Sequence, residues 1–175
     1  MKTFLPILLL VVISAGCKKA TPLTPARQLS GTWTTPNPVT LYYSSDGCGG
    51  YSAYAKFTAT IQWQISTLGD SSVSITQTLL SYSATSSIGS NCGLPAPTLP
   101  GTTDYVGVIS SSAFALDEQQ MLYNSNGGAI GLGNVRIGIL NFTTDNITGT
   151  VTEKDCPAYC SGWSSDSNGF ILQRN

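Results

Sequence analysis

The side chains that most often carry out chemistry in proteins are few in this sequence and poorly spaced for it. There is no histidine among the 175 residues, which removes Ser-His-Asp triads, Cys-His dyads and HExxH zinc sites together. Among the carboxylates, Glu153 and Asp155 stand two positions apart and could share a strand face, and a glycosidase needs its two acids within about 5 to 10 Å of each other. Lys154 lies between them and Cys156 follows at once, so the pair reads as a solvated strand end. Asp117-Glu118 offers nothing better. Neither a nucleophile-elbow GxSxG nor a P-loop occurs, and Gly127, Gly128, Gly131 and Gly133 do not fall into the GxGxxG spacing of a dinucleotide site. Asp166-Ser167-Asn168-Gly169 begins like a calcium loop but lacks the later Glu, and reads as a turn. The expectation is a protein that binds rather than transforms, with no catalytic residue, no metal and no cofactor.

Cysteine is the one reactive side chain that recurs. Beyond Cys17 there are four, Cys48, Cys92, Cys156 and Cys160, an even number that suits an oxidising compartment and allows three pairings. Cys156 with Cys160 encloses only Pro157-Ala158-Tyr159, a span that a tight turn brings within disulfide reach. Cys48 with Cys92 would then join two glycine-containing loops, closing a long loop worth ~4 kcal/mol in the chain-entropy model. Four zinc-ligating thiolates are the alternative, and their spacing is against it, since neither half is CxxC.

The elements that must position these groups begin with an export signal. A short basic head precedes a ten-residue apolar run, Phe4 to Ile13, and then Ser14-Ala15-Gly16-Cys17; the run is too short to span a bilayer. Small residues leading directly into a cysteine resemble the bacterial lipobox, in which the cysteine is acylated and becomes the first mature residue, although Ser14 stands where that pattern usually has Leu. The resemblance implies a lipid anchor at Cys17, and the absence of Asp at position 18 implies the outer membrane of the cell envelope. Residues 1–16 are then the signal peptide, and 17–28, with two prolines after the lysine pair, a flexible tether. A single domain occupies 29–175.

That domain is rich in strand and turn formers. The chain holds 22 Ser and 21 Thr beside 18 Gly and 9 Pro, with only two Glu, a mix that disfavours helices. A net charge of −1 with scattered basic residues excludes the electrostatic footprint of a nucleic-acid binder. The clearest strand is Ala55 to Leu68, where Phe57, Ala59, Ile61, Trp63 and Ile65 alternate with polar residues. Val73, Ile75 and Gln77 continue the pattern after a Gly69-Asp70 hairpin turn. Further strands are expected at 31–35, 39–44, 104–109, 113–117 and 119–123. Val135, Ile137 and Ile139 alternate inward, as do Ile147 and Val151 after a turn at 143–146, and the last strand runs from Gly169 to Arg174. Ser81 to Gly101 loses its periodicity and reads as a long loop, and the best candidate for a short helix lies around Leu116 to Leu122. Eight to ten antiparallel strands describe an all-β barrel or a sandwich.

Two residues at opposite ends of the domain favour the barrel. Trp33 sits in the first strand, and Arg174 follows Phe170 and Leu172 on the apolar face of the last. A cation aimed at a core needs a compensating face, and an indole ring supplies one worth roughly 1 to 2 kcal/mol when partly desolvated. Here the sequence resembles the lipocalin-like, or calycin, barrels, whose first strand carries Gly-x-Trp and whose last returns an Arg across that Trp; Gly31, Trp33 and Arg174 match those positions. The wording around them is similar to small lipocalin-like lipoproteins of Bacteroidetes-type bacteria. The resemblance implies an antiparallel up-and-down barrel of about eight strands, a monomer, holding a small hydrophobic ligand. Phe57, Ile61, Trp63, Ile137 and Ile139 are the residues that would line its site. The alternative is a β-sandwich binding carbohydrate or protein through Tyr42, Tyr43, Tyr51 and Tyr54, which crowd around a glycine-rich loop. A purely structural envelope lipoprotein is the third reading.

Overall fold

The computed structural model describes residues 22–48, 51–88, 102–152 and 161–175. A five-residue helix, α1 (Pro25–Leu29), is followed by ten strands: β1 (Gly31–Thr34), β2 (Val39–Cys48), β3 (Tyr51–Gly69), β4 (Ser72–Ile88), β5 (Thr102–Ser110), β6 (Ala113–Tyr123), β7 (Ala129–Phe142), β8 (Asn146–Val151), β9 (Ser161–Ser165) and β10 (Phe170–Arg174). Neighbours pair antiparallel in the order β1-β10-β8-β7-β6-β5-β4-β3, and β1 also pairs with β3, which closes a ring of eight. The fold is therefore a closed antiparallel barrel and not a sandwich.

The two remaining strands, β2 and β9, lie outside this ring. On the same edge of β3, β1 occupies Gln62 to Ile65 and β2 occupies Tyr51 to Ala59. The edge of β8 is divided in the same manner: β10 pairs with Asn146 to Gly149, and β9 meets the strand's far end through the bridge Thr152↔Ser164 and a bond from the Val151 amide to Ser165 Oγ at 3.0 Å. The closing seam thus has two tiers, and both of its strands break at one level, 35–38 on one side and 166–169 on the other. Pro36 and Pro38 enforce the first break, since neither can donate to a ladder. Asp166 makes the second, its Oδ1 accepting from the Asn168 amide at 2.9 Å.

Period-two alternation explains what fills the ring. Phe57, Ala59, Ile61, Trp63 and Ile65 of β3 all turn inward and are at most 1% exposed, and Val73 and Ile75 of β4, Phe114 and Leu116 of β6, and Phe170 and Leu172 of β10 join them. Eight strands enclose an interior just wide enough for such side chains. Its centre is Trp63, with its ring 5.7 Å from Phe170, 6.4 Å from Phe114 and 6.5 Å from Tyr105.

Four sequence expectations change. The alternation Val135, Ile137, Ile139 does not hold, because Leu116 pairs with Gly138 and Asp117 with Arg136, leaving Ile137 as the extra residue of a bulge. A bulge reverses the phase of the strand beyond it. Ile137 stays in the core at 3% exposure, Leu140 and Phe142 take over the inward positions, and Ile139 points to solvent at 63%. Ser81 to Ile88 is not loop but the second half of β4, paired with β3 from Thr60 to Tyr54; bulges at Thr60/Ile61 and Lys56/Phe57 shift its register and erase the period that would have revealed it. Residues 89–101 lie outside the described residues. The stretch Leu116 to Leu122 is strand, and the helix lies instead at Pro25–Leu29, across the boundary between the segment read as tether and the domain. Thr24-Pro25 is a cap followed by an N1 proline, and Ala26 and Leu29 are fully buried against the barrel.

One glycine is indispensable to the seam. Gly169 has φ +74°, and a Cβ there would stand 2.3 Å from the Gly149 carbonyl oxygen. Gly169→Ala is expected to cost about 2 to 3 kcal/mol, from left-handed strain plus displacement of β10 from β8. A urea unfolding curve within about 0.5 kcal/mol of wild type would refute that placement.

Candidate functional site

Three places bear on function: a sealed end, an opposite mouth and a cleft in the wall. The sealed end is built on a row of register partners across three strands, Trp63 of β3, Trp33 of β1 and Arg174 of β10. The Arg174 guanidinium lies 4.2 Å from the centre of the Trp33 ring. It also donates through Nη1 to the Ser30 carbonyl at 2.7 Å, through Nε to the Thr144 carbonyl at 2.9 Å, and through Nη2 to the Gln28 carbonyl. Trp33 Nε1 donates to the Leu29 carbonyl at 2.7 Å. One arginine therefore ties the end of α1, the start of β1 and the β7–β8 turn together. Gly31 makes room for it: its φ is +130°, and a Cβ would stand 3.1 Å from Arg174 Nη1. The Gly-x-Trp spacing thus has a steric cause in this chain.

Phe57, Ile61, Trp63 and Ile137 are brought together as expected, but as core, each at most 3% exposed; Ile139 is not among them. Among the described residues the core carries a buried polar chain through Gln77, whose phase the sequence reading gave without its partners. Trp63 Nε1 donates to Gln77 Oε1 at 2.9 Å, and Gln77 Nε2 donates to the Tyr105 hydroxyl at 3.3 Å. Gln77 continues the inward alternation of Val73 and Ile75, which is the signal that gave that phase.

Above this layer the inner faces of β4 and β6 open, while β3 stays covered through Ile61, Ala59 and Phe57. Leu79 pairs with Ile61 and Tyr82 with Ala59, so both share the inward face, yet Leu79 is half-buried and Tyr82 is 53% exposed. On β6 the alternation from Phe114 and Leu116 carries Glu118, Gln120 and Leu122 to the same side; Gln120 Nε2 donates to Glu118 Oε2 at 2.7 Å, and Leu122 is 38% exposed. The mouth is consequently part apolar and part polar. On the outer face nearby, Arg136 Nε donates to Asp117 Oδ1 at 2.5 Å, and that hydrogen bond raises the guanidinium pKa. With the Arg136 side chain 53% exposed, solvent screening keeps the pair's contribution to stability small.

The wall cleft lies where both tiers of the seam break. It has a volume of about 360 Å³ and runs between Pro36, Asn37 and Pro38 on one side and Asp166, Asn168 and Ile171 on the other. Asp166 Oδ1 accepts from the Asn168 amide, from Asn168 Nδ2 at 3.0 Å and from Ser167 Oγ at 3.2 Å, while Oδ2 takes a long bond of 3.4 Å from the Tyr42 hydroxyl. The Asn168 amide holds this carboxyl below the usual range, helped by Ser167, Tyr42 and the charge of Lys56. Partial burial, with the neighbouring carboxylate, pushes the Tyr42 hydroxyl up. Because the folded-state value of Asp166 is depressed, its contribution to stability is present above the ordinary carboxylate pKa and is lost as pH falls through the lower folded value. Urea midpoints of wild type should therefore fall more steeply below pH 4 than those of Asp166→Asn, and parallel curves would refute the assignment.

Cys17, Cys92, Cys156 and Cys160 lie outside the described residues, as do Glu153 and Asp155; Cys48 ends β2, opposite Tyr51. Of the clustered tyrosines, Tyr42 is engaged with Asp166, and Tyr43, Tyr51 and Tyr54 fall in the paired register of β2 and β3. Among the described residues no three His, Cys, Asp or Glu side chains gather as a metal site would require.

The class these features define is a closed eight-stranded β-barrel with one sealed end. No family model, curated protein or solved structure matches the chain.

Proposed function

We propose that the protein is a lipid-anchored envelope binder, non-enzymatic and lipocalin-like, that takes a small apolar ligand at the mouth of its barrel. One observation carries this reading. The barrel is stoppered at the α1 end by Trp33 and Arg174, whereas Leu79, Tyr82 and Leu122 on the inner face at the other end remain partly open to solvent. A stoppered end opposite partly exposed apolar side chains with a few polar groups among them suits a small apolar ligand, whose sites are mostly apolar with a small number of polar contacts. The filled core extends from Trp63 up β3 through Ile61 and Ala59 to Phe57, so the ligand rests against Leu79, Tyr82 and Leu122 on the β4 and β6 side and does not penetrate among Phe57, Ile61 and Ile137. Acylation of Cys17 would fix the chain to the membrane, and a monomer suffices for carriage.

Native mass spectrometry of residues 18–175, secreted without acylation and incubated with an envelope lipid extract, tests the binding half. The expected result is a reproducible non-covalent mass excess, lost on denaturation and reduced by Tyr82→Ala. A bare mass under the same conditions overturns carriage. Palmitate labelling of the full chain tests the anchor, and labelling that survives Cys17→Ser would refute it.

A further inference from the structure

We propose that the wall cleft at the seam is a second binding site, for a neutral saccharide unit, independent of whether the mouth holds a ligand. The argument starts from what the two walls offer. Pro36, Pro38 and Ile171 present apolar C–H surface, and Ile171 is 49% exposed although it stands beside a fully packed core. Among these apolar surfaces sit the carboxylate of Asp166 and the amides of Asn37 and Asn168.

The polar groups are fixed before any ligand arrives. Asp166 Oδ1 is consumed by its own turn, which locks the side chain, while Oδ2 carries one long bond from Tyr42 and has lone-pair capacity to spare. Asn168 spends its Nδ2 on Asp166, so its carbonyl oxygen is set as an acceptor. Three acceptor and donor groups around apolar patches match a molecule that carries hydroxyls on its rim and C–H bonds on its face, which is the surface of a pyranose ring. A cation fits less well: Lys56 already acts on the Asp166 charge, and Asp166 is the one carboxylate among the described residues lining the cleft. A purely apolar ligand would desolvate Asp166 Oδ2 without offering it a hydrogen bond. The volume of about 360 Å³ lies at the low end of ligand sites, which run from roughly 300 to 1,000 Å³, and so suits one or two sugar rings.

The site also explains why both seam strands break at the same height. A single break would be an ordinary turn; two facing breaks, one proline-rich and one closed by an Asx turn, leave a window in an otherwise continuous ladder.

Titration of the ¹⁵N-labelled domain with cellobiose, maltose and N,N′-diacetylchitobiose, followed by amide chemical shifts, tests the proposal. The expected result is saturable shifts for at least one of the three, confined to Asn37, Val39, Thr40 and 166–171. Asn37→Ala and Asp166→Asn should each weaken that binding at least about fivefold, the first without change in thermal midpoint because Asn37 is exposed. Should Asp166→Asn unfold, Ile171→Ala replaces it with the same expectation. Absence of saturable shifts with all three sugars up to tens of millimolar, shifts centred elsewhere, or affinity unchanged in the variants would each overturn it.

Discussion

Replacing Arg174 with Met should lower the free energy of unfolding by about 3 kcal/mol, since it removes a cation–π contact together with three charge-assisted bonds to backbone carbonyls. The bonds are non-additive, so their separate values are not summed. What makes the effect large is location: the guanidinium joins Gln28, Ser30 and Thr144 to the face of Trp33, and a flexible thioether leaves those carbonyls to find water at a half-buried junction. Arg174→Lys should recover less than half of the loss, because one ammonium cannot lie flat on the indole and reach three carbonyls at once. Chemical denaturation followed by tryptophan emission measures both. A loss below about 1 kcal/mol for Arg174→Met would mean that the sealed end is held by α1 packing alone.

The second large effect is expected at Trp63. Truncation to Ala removes the largest side chain at the core's centre and strands Gln77, whose Oε1 accepts the indole N–H at 2.9 Å; a cost of about 4 kcal/mol follows from the cavity and the unsatisfied amide together. Trp63→Phe keeps most of the ring contacts to Phe114, Tyr105 and Phe170 and should cost about 1 to 2 kcal/mol, chiefly for the lost hydrogen bond. The pair separates packing from polarity. If Trp63→Phe proves as damaging as Trp63→Ala, the Trp63–Gln77–Tyr105 chain, and not the ring's volume, organises the core. Trp63→Ala has a further use: if it still folds, its apolar cavity should admit a small aromatic probe such as benzene, in contrast to the filled wild-type interior.

Much of this architecture is legible in the sequence, and the reasons for what is not are specific. The alternation of Phe57 to Ile65 states a half-buried strand, and the pairing of Trp33 with Arg174 states closure, because an arginine on the apolar face of a last strand has few other ways to be satisfied. Bulges defeat the same reasoning at Ile137 and beyond Thr60, since a period of two is readable only until one residue is inserted. β9 escaped because five residues, Ser-Gly-Trp-Ser-Ser, carry too little pattern to declare a strand. The wall cleft is illegible for a different reason: Pro36-Asn37-Pro38 and Asp166 to Gly169 each read as a turn, and only the register of four separate strands makes them face each other. The mouth likewise depends on where β4 and β6 stop being covered, which no local pattern encodes.

The closure of the ring has a kinetic side. Asn175 Nδ2 donates to Thr34 Oγ1 across 141 positions of sequence, and the same two strands, β1 and β10, complete the barrel. Until β10 is present, β8 and β1 each show an unpaired edge, and Trp33 lacks the cation that covers it. Folding must therefore wait for contacts of very high sequence separation, the situation in which rates fall steeply. The entropy of the long loop grows only slowly with its length, so the delay comes from order of events more than from final stability. A chain emerging vectorially is, until β10 appears, an open sheet with two unpaired margins. That state, rather than the finished barrel, is where a chaperone would be needed and where aggregation would begin.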